Sequence, residues 1–121
     1  MSAHNAGAIA ESYLRIWNET DAARRASMLR ETWSEDAHYV DPLMSGQGLE
    51  QISQLIAAVH QRFPGYRFSL ANQPDGHGDH VRFSWALGTG DADTAILGSD
   101  VLQLRDGRVS RVIGFLDRVP A

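Results

Sequence analysis

The apolar residues of this chain change their spacing once, and that change limits the possible folds more than any other feature. Up to residue 63 they recur mainly three and four positions apart, as on one face of a helix. From residue 66 onward they alternate with polar residues, as in half-buried strands. Helices followed by a meander of strands predict an α+β domain, in which helices pack on one side of a curved antiparallel sheet and enclose a cavity.

The spacing predicts three helices. The first covers residues 9–17, and its apolar face includes Tyr13. The second begins after Asp21, a typical N-cap residue, and carries Trp33 before it ends in the turn "SED". The third helix, over residues 49–63, has the clearest apolar stripe and is followed by "PG".

Strands are predicted in two places. A short strand, "AHYVD", precedes Pro42, which stops it. Four longer strands follow the third helix, over residues 66–70, 81–87, 96–104 and 109–116. The turn sequences "PDGHGD", "GTGDAD" and "RDG" separate these four strands, which predicts consecutive antiparallel hairpins.

Size and composition indicate one domain that spans residues 1–121. A chain of 121 residues, 43% of them apolar, is long enough for one core. The net charge of −4 comes from mixed acids and bases without a basic stripe, so nucleic acid is not an expected partner. The N-terminus has neither a basic start nor a long apolar run, which predicts a cytoplasmic protein that does not enter membranes.

Three residues could form an acid/base pocket: Tyr13, Asp41 and Asp100. Alternation puts Asp100 on the same face of its strand as Leu102, toward the core. Desolvation disfavours a carboxylate there, so Asp100 either stays protonated with a raised pKa or pairs with Arg82, Arg111 or a backbone donor.

The other two candidates also have structural interpretations. Asp41 shares a strand face with Tyr39, whereas His38 faces away, but an Asp before Pro is also a common turn residue. Tyr13 could be an ordinary core residue whose hydroxyl finds a partner. Six aromatic residues are candidates for lining a pocket: Trp17, Trp33, Tyr39, Phe83, Trp85 and Phe115. For the three tryptophans core packing is the default interpretation, and pocket lining is compatible with it.

No cofactor or metal is expected. The motif "HGDH" falls in a predicted hairpin turn, and its spacing matches no zinc signature. Cysteine is absent, which excludes disulfides and thiolate metal sites. The glycines of "GTG" serve a turn and form no nucleotide-binding fingerprint.

Several segments together resemble the NTF2-like superfamily, and within it the SnoaL-like branch. They are "ESYLRIW", "WSEDAHYVDP", the helix from Gly48, "GSDVLQL" and "DGRVSRVIGF". The resemblance covers nearly the whole chain. It implies a cone-shaped α+β fold, with a bent sheet around a long helix, an apolar pocket at one end and, often, a dimer packed through the sheet.

Ketosteroid isomerases of that superfamily carry a Tyr on the first helix, an Asp before Pro after the first strand, and an Asp followed by Val in a later strand. Tyr13, Asp41 and Asp100 fall on those positions. The resemblance implies that Asp41 is a general base and that Tyr13 and a protonated Asp100 donate hydrogen bonds to an enolate. Asp-Pro and Gly-x-Asp also recur in SnoaL-like proteins of many or no known activities.

The expected ligand is therefore a small apolar, cyclic carbonyl compound. The expected chemistry is proton transfer through an enolate, as in isomerisation or cyclisation, without a cofactor. A non-catalytic ligand-binding or dimerisation module is the alternative, and hydrolysis or dehydration is a third interpretation. A homodimer through the sheet is also expected, because an outer face with Leu97, Val101 and Val112 is too apolar to stay in water.

Overall fold

The computed structural model describes residues 5–120, which form three helices and seven strands. In chain order these are α1 (Ala6–Trp17), α2 (Ala22–Thr32), β1 (Trp33–Val40), β2 (Ser45–Gln47), α3 (Leu49–Arg62), β3 (Arg67–Leu70), β4 (Asp75–His77), β5 (His80–Gly88), β6 (Ile96–Arg105) and β7 (Arg108–Arg118). The three predicted helices and the α+β class are confirmed.

All seven strands belong to one curved, unclosed sheet. Its order is β2-β1-β7-β6-β5-β3, with β4 also paired to β5. The neighbours β3, β5, β6 and β7 are antiparallel, which confirms the predicted hairpins between the long strands. Strand β1 pairs with β7 in parallel, and this pairing was not predicted.

The boundary between α2 and β1 differs from the prediction. Helix α2 ends at Thr32, and Trp33 is already extended, with φ −117° and ψ 157°. Trp33 pairs with Val109 of β7 and is buried, so the segment "SED" continues a strand and forms no turn. Cross-strand pairing and burial of the indole outweigh the helical spacing that placed Trp33 on α2.

Two short strands were also missed. Strand β2 lies in the predicted loop "PLMSGQG" and pairs with β1, and β4 lies in the predicted turn "PDGHGD" and pairs with β5. Each has three residues, which is too short for a period of two to be visible in the sequence.

Helices and sheet enclose one core. Helix α1 contacts β3 and β5, and α3 contacts β1 and β2, so both helices lie against the sheet. Strand β6 alternates as predicted, with Gly98, Asp100, Leu102 and Leu104 buried. Asp21 is the N-cap of α2, since its Oδ1 accepts a hydrogen bond from the Ala23 N–H at 3.1 Å.

Val112 lies on the opposite face of the sheet from the one predicted. It is 0% exposed and is paired in register with Leu102 and Tyr39, which are buried too. The outer face of β7 instead carries Ile113 and Phe115. No helix within residues 5–120 is both long enough and apolar enough to span a membrane.

Candidate functional site

A cavity of about 300 Å³ lies between α1, α3 and the sheet. We call it the main cavity. Its wall is largely apolar and includes Leu14, Trp17, Leu43, Met44, Ala58, Val59, Phe63, Phe68, Trp85, Leu87, Ile96, Phe115, Leu116 and Val119. Its polar lining residues are Tyr13, Tyr39, Asp41, Arg62 and Asp100. The three predicted site residues therefore meet at one apolar cavity.

Tyr13 and Asp100 form a buried pair. The Tyr13 hydroxyl donates a hydrogen bond to Asp100 Oδ2 at 2.7 Å, and the two residues are 2% and 3% exposed. The Tyr13 ring stacks on Trp33, with centroids 5.7 Å apart, and meets Phe83 edge-on at 5.3 Å. Because the ring is held on both sides, its hydroxyl stays directed at Asp100.

Burial controls the ionisation of this pair. It raises the pKa of Asp100 to about 6, the Tyr13 hydrogen bond and the nearby Trp85 indole oppose that shift, and the charge of Asp41 adds to it. Burial and the adjacent Asp100 hold the pKa of Tyr13 well above its usual value, so Tyr13 remains a hydrogen-bond donor.

Asp100 does not pair with an arginine. Arg82 binds Asp75 at 3.1 Å, and Arg111 lies exposed on β7. Within residues 5–120, Asp100 Oδ1 has no hydrogen-bond partner although it is buried. Of the two expectations for Asp100, the raised pKa holds and the arginine partner is wrong.

Asp41 is held by three donors. Its Oδ2 accepts a hydrogen bond from the Tyr39 hydroxyl at 2.6 Å, and its Oδ1 accepts the backbone N–H groups of Leu43 at 2.8 Å and Met44 at 2.9 Å. The two backbone contacts are the turn role that an Asp before Pro suggests. Asp41 also lines the main cavity, so the turn role and the site position hold together.

Tyr39 is the donor that fixes Asp41. It is buried, and burial, followed by the nearby Asp100 and the hydrogen bond to Asp41, raises its pKa. The phenol therefore stays protonated and continues to donate. Sequence analysis placed Tyr39 on the pocket wall but missed this link to Asp41.

Gly114 allows the two acids to approach each other. A Cβ atom at this position would lie 2.8 Å from Asp100 Oδ1 and 3.1 Å from the Asp41 Cβ, so a larger residue would push them apart. Sequence analysis did not select Gly114. The available signal was a glycine inside an alternating strand, which often marks a close approach.

The six aromatic candidates divide into two groups. Trp17, Tyr39, Trp85 and Phe115 line the main cavity, although Phe115 is 52% exposed. Trp33 and Phe83 lie in the core, packed against the Tyr13 ring, and are not among the residues that line the main cavity. Their contacts with the Tyr13 ring hold that ring in place.

None of the four histidines within residues 5–120 lines the main cavity. His77 and His80 face each other in the β4–β5 hairpin, and His38 does not line the main cavity. His60 Nε2 lies 2.6 Å from the Trp17 carbonyl oxygen. In the part of the chain that the structure describes, no cluster of three or more His, Cys, Asp or Glu side chains could hold a metal ion.

Comparison with known proteins agrees with this architecture. Solved structures that share the NTF2-like fold superpose on the chain. A model of the SnoaL-like domain matches residues 10–112, and the chain belongs to this family. No curated protein matches the sequence.

Three solved structures illustrate the relationship. A proposed isomerase of the SnoaL-like family from Agrobacterium tumefaciens is 49% identical, with a TM-score of 0.86 over 92% of this chain and 96% of the other. A proposed ketosteroid isomerase from Kribbella flavida is 23% identical, with a TM-score of 0.71 over 96% and 80%. A proposed SnoaL-like polyketide cyclase from Jannaschia is 21% identical, with a TM-score of 0.71 over 90% and 85%. The last two show likeness of fold alone.

Proposed function

We propose that the main cavity binds a small apolar, cyclic carbonyl compound and that its acids move a proton through an enolate without a cofactor. The observation that carries the proposal is the buried Tyr13–Asp100 hydrogen bond on the wall of an apolar cavity that Asp41 also lines. A donor pair and a separate carboxylate around an apolar space are the groups that enolisation requires.

In this proposal Asp41 removes the proton next to the carbonyl. Its carboxylate has about four acceptor directions, and the three hydrogen bonds above leave one on Oδ2 free for that proton. In an isomerisation the proton returns to another carbon of the same ligand. In a cyclisation the enolate carbon attacks a second carbonyl, and the proton goes to the new alkoxide.

Tyr13 and Asp100 stabilise the enolate oxygen. When Asp100 carries a proton it can donate to the Tyr13 oxygen, which frees the Tyr13 O–H for the ligand. Burial raises the pKa of Asp100 to about 6, so this neutral form predominates below about pH 6. A donor directed at a developing oxyanion contributes about 2.7–4 kcal/mol in comparable sites.

A non-catalytic binding module is the second candidate function. The two backbone hydrogen bonds to Asp41 favour it, because they give this carboxylate a structural role that needs no chemistry. The two candidates differ in what Asp41→Asn does once a ligand is known. A binder keeps its affinity and has no turnover to lose, whereas an enzyme keeps its ligand and loses turnover.

Binding of 2-naphthol, a stable mimic of a cyclic enolate, tests the oxyanion site without knowledge of the substrate. We expect Tyr13→Phe and Asp100→Leu each to weaken naphthol binding about tenfold or more, as loss of a hydrogen bond to a charged group does. Tyr66→Phe is the matched control, since Tyr66 lies outside the main cavity. If neither substitution changes the affinity, or naphthol does not bind, the oxyanion site is refuted.

A further inference from the structure

One charged side chain that lines the main cavity, Arg62, has no role in the proposed chemistry. Among the described residues that line this cavity, Arg62 alone carries a positive charge. It lies in the last turn of α3, on the same helix face as the lining residues Ala58 and Val59.

Arg62 has no acidic partner within residues 5–120. The arginines that form ion pairs in this range are Arg24, Arg82 and Arg105. The Arg62 guanidinium lies 5.8 Å from the centre of the Phe63 ring, a cation–π contact that leaves its N–H groups free. Arg62 is therefore held beside the cavity with its donors unused.

Arg62 and Asp100, which carry opposite charges when ionised, differ in their exposure to solvent. Asp100 is buried, whereas Arg62 is exposed, so Arg62 marks the solvent side of the cavity and Asp100 its inner side. An anionic group beside Asp41 and Asp100 would be repelled. The same group on the solvent side, next to Arg62, would be attracted. The net charge of −4 does not prevent this, because charges more than about 8 Å away are screened at physiological ionic strength.

We infer that the ligand of the main cavity carries a carboxylate at the end remote from its reacting carbonyl, and that Arg62 binds this carboxylate at the cavity entrance. The inference rests on the proposed function and narrows it to apolar oxo acids. Arginine suits this role because its planar fork donates two parallel hydrogen bonds to a carboxylate.

The test compares two naphthol probes. One is 2-naphthol, which has no carboxylate, and the other is 6-hydroxy-2-naphthoate, whose carboxylate lies at the opposite end of the ring system from its hydroxyl. Both are titrated into the wild type, Arg62→Gln and Arg67→Gln. Arg67 is the matched control, because it is an exposed arginine five positions along the chain that does not line the cavity.

We expect Arg62→Gln to weaken binding of the naphthoate by up to about fivefold, as loss of an exposed ion pair does, and to leave 2-naphthol nearly unchanged. The effect should shrink at high salt, and Arg67→Gln should not reproduce it. The inference is overturned if Arg62→Gln weakens both probes equally or neither, or if Arg67→Gln has the same effect.

Failure of this inference can be told apart from failure of the proposed function. If 2-naphthol binds and depends on Tyr13, while Arg62→Gln leaves the naphthoate unaffected, the oxyanion site stands and the carboxylate recognition is wrong. If the naphthoate depends on Arg62 but Tyr13→Phe has no effect, the carboxylate recognition stands without the oxyanion site. If neither probe binds the wild type, both are rejected.

Discussion

Asp100 is a carboxyl group that folding removes almost completely from water. Alternation along β6 was enough to predict its inward position, because the neighbours two positions away on either side are buried apolar or glycine residues. Its partner could not be predicted in the same way. Tyr13 lies 87 positions earlier in the chain, and no local pattern encodes a contact over that distance.

The raised pKa of Asp100 makes stability depend on pH in a defined direction. The folded state binds this proton more tightly than the unfolded chain, since the pKa is about 6 in the fold against 3.8. The stabilisation from protonation is therefore complete below about pH 3.8 and is lost as the pH rises through about 6.

Asp100→Asn should remove this dependence, because asparagine keeps the size and the acceptor for Tyr13 but cannot ionise. We expect its free energy of unfolding, relative to wild type, to rise by up to about 3 kcal/mol between about pH 4 and about pH 8. Urea unfolding at a series of pH values measures this difference. Asp93→Asn, at an exposed carboxylate, is the control. A difference that stays constant with pH would contradict the raised pKa.

Strand β7 is the element that brings the site together. It lies between β1, which leads to Asp41, and β6, which carries Asp100. The sequence predicted β7 and its hairpin with β6, because turn residues connect the two strands. It could not predict the parallel pairing of β1 with β7, since residue 38 and residue 111 are joined by no local signal.

Gly114, the one glycine of β7, should not tolerate a side chain. In Gly114→Ala the new methyl group would meet Asp100 Oδ1 at 2.8 Å, with the Asp41 Cβ at 3.1 Å, so one of the acids must move. We expect a loss of about 1–3 kcal/mol in the free energy of unfolding, as overpacking causes, together with weaker naphthol binding.

Gly7→Ala is the control for that experiment. Gly7 lies in α1 with nothing within 4 Å of the added Cβ, and alanine favours helix more than glycine does. Its stability should be unchanged or slightly higher. Unfolding curves and naphthol titrations of both variants decide the matter: if Gly114→Ala behaves like Gly7→Ala, Gly114 does not control the spacing of the acids.

At the scale of the whole molecule, patterns of spacing predicted the fold class but not the shape of the cavity. Trp33 and Phe83 were candidates for the cavity wall, and Trp33 by default for the core; both rings pack in the core against Tyr13. Val112 was assigned to the outer face, whereas the irregular register of β6 and β7 leaves it inside. The sequence could not decide either position, because distant contacts set both strand register and side-chain packing.

The outer face of the sheet leads to a prediction about assembly. Val40, Ile113 and Val101 lie side by side on three adjacent strands, and Ile113 is 37% exposed. A contiguous apolar patch of this kind is unfavourable in water, so we expect two copies of the chain to pack through it.

Sedimentation at micromolar concentration should therefore find a dimer, and Ile113→Lys should convert it to a monomer that keeps its secondary structure. The lysine places a charge in the middle of the contact, where it would be desolvated without a partner. Leu43→Lys is the matched control, because Leu43 is more exposed than Ile113 but lies in the loop after β1, off the sheet. It should leave the dimer intact. A monomeric wild type, or an Ile113→Lys variant that still dimerises, would show that this face is not the interface.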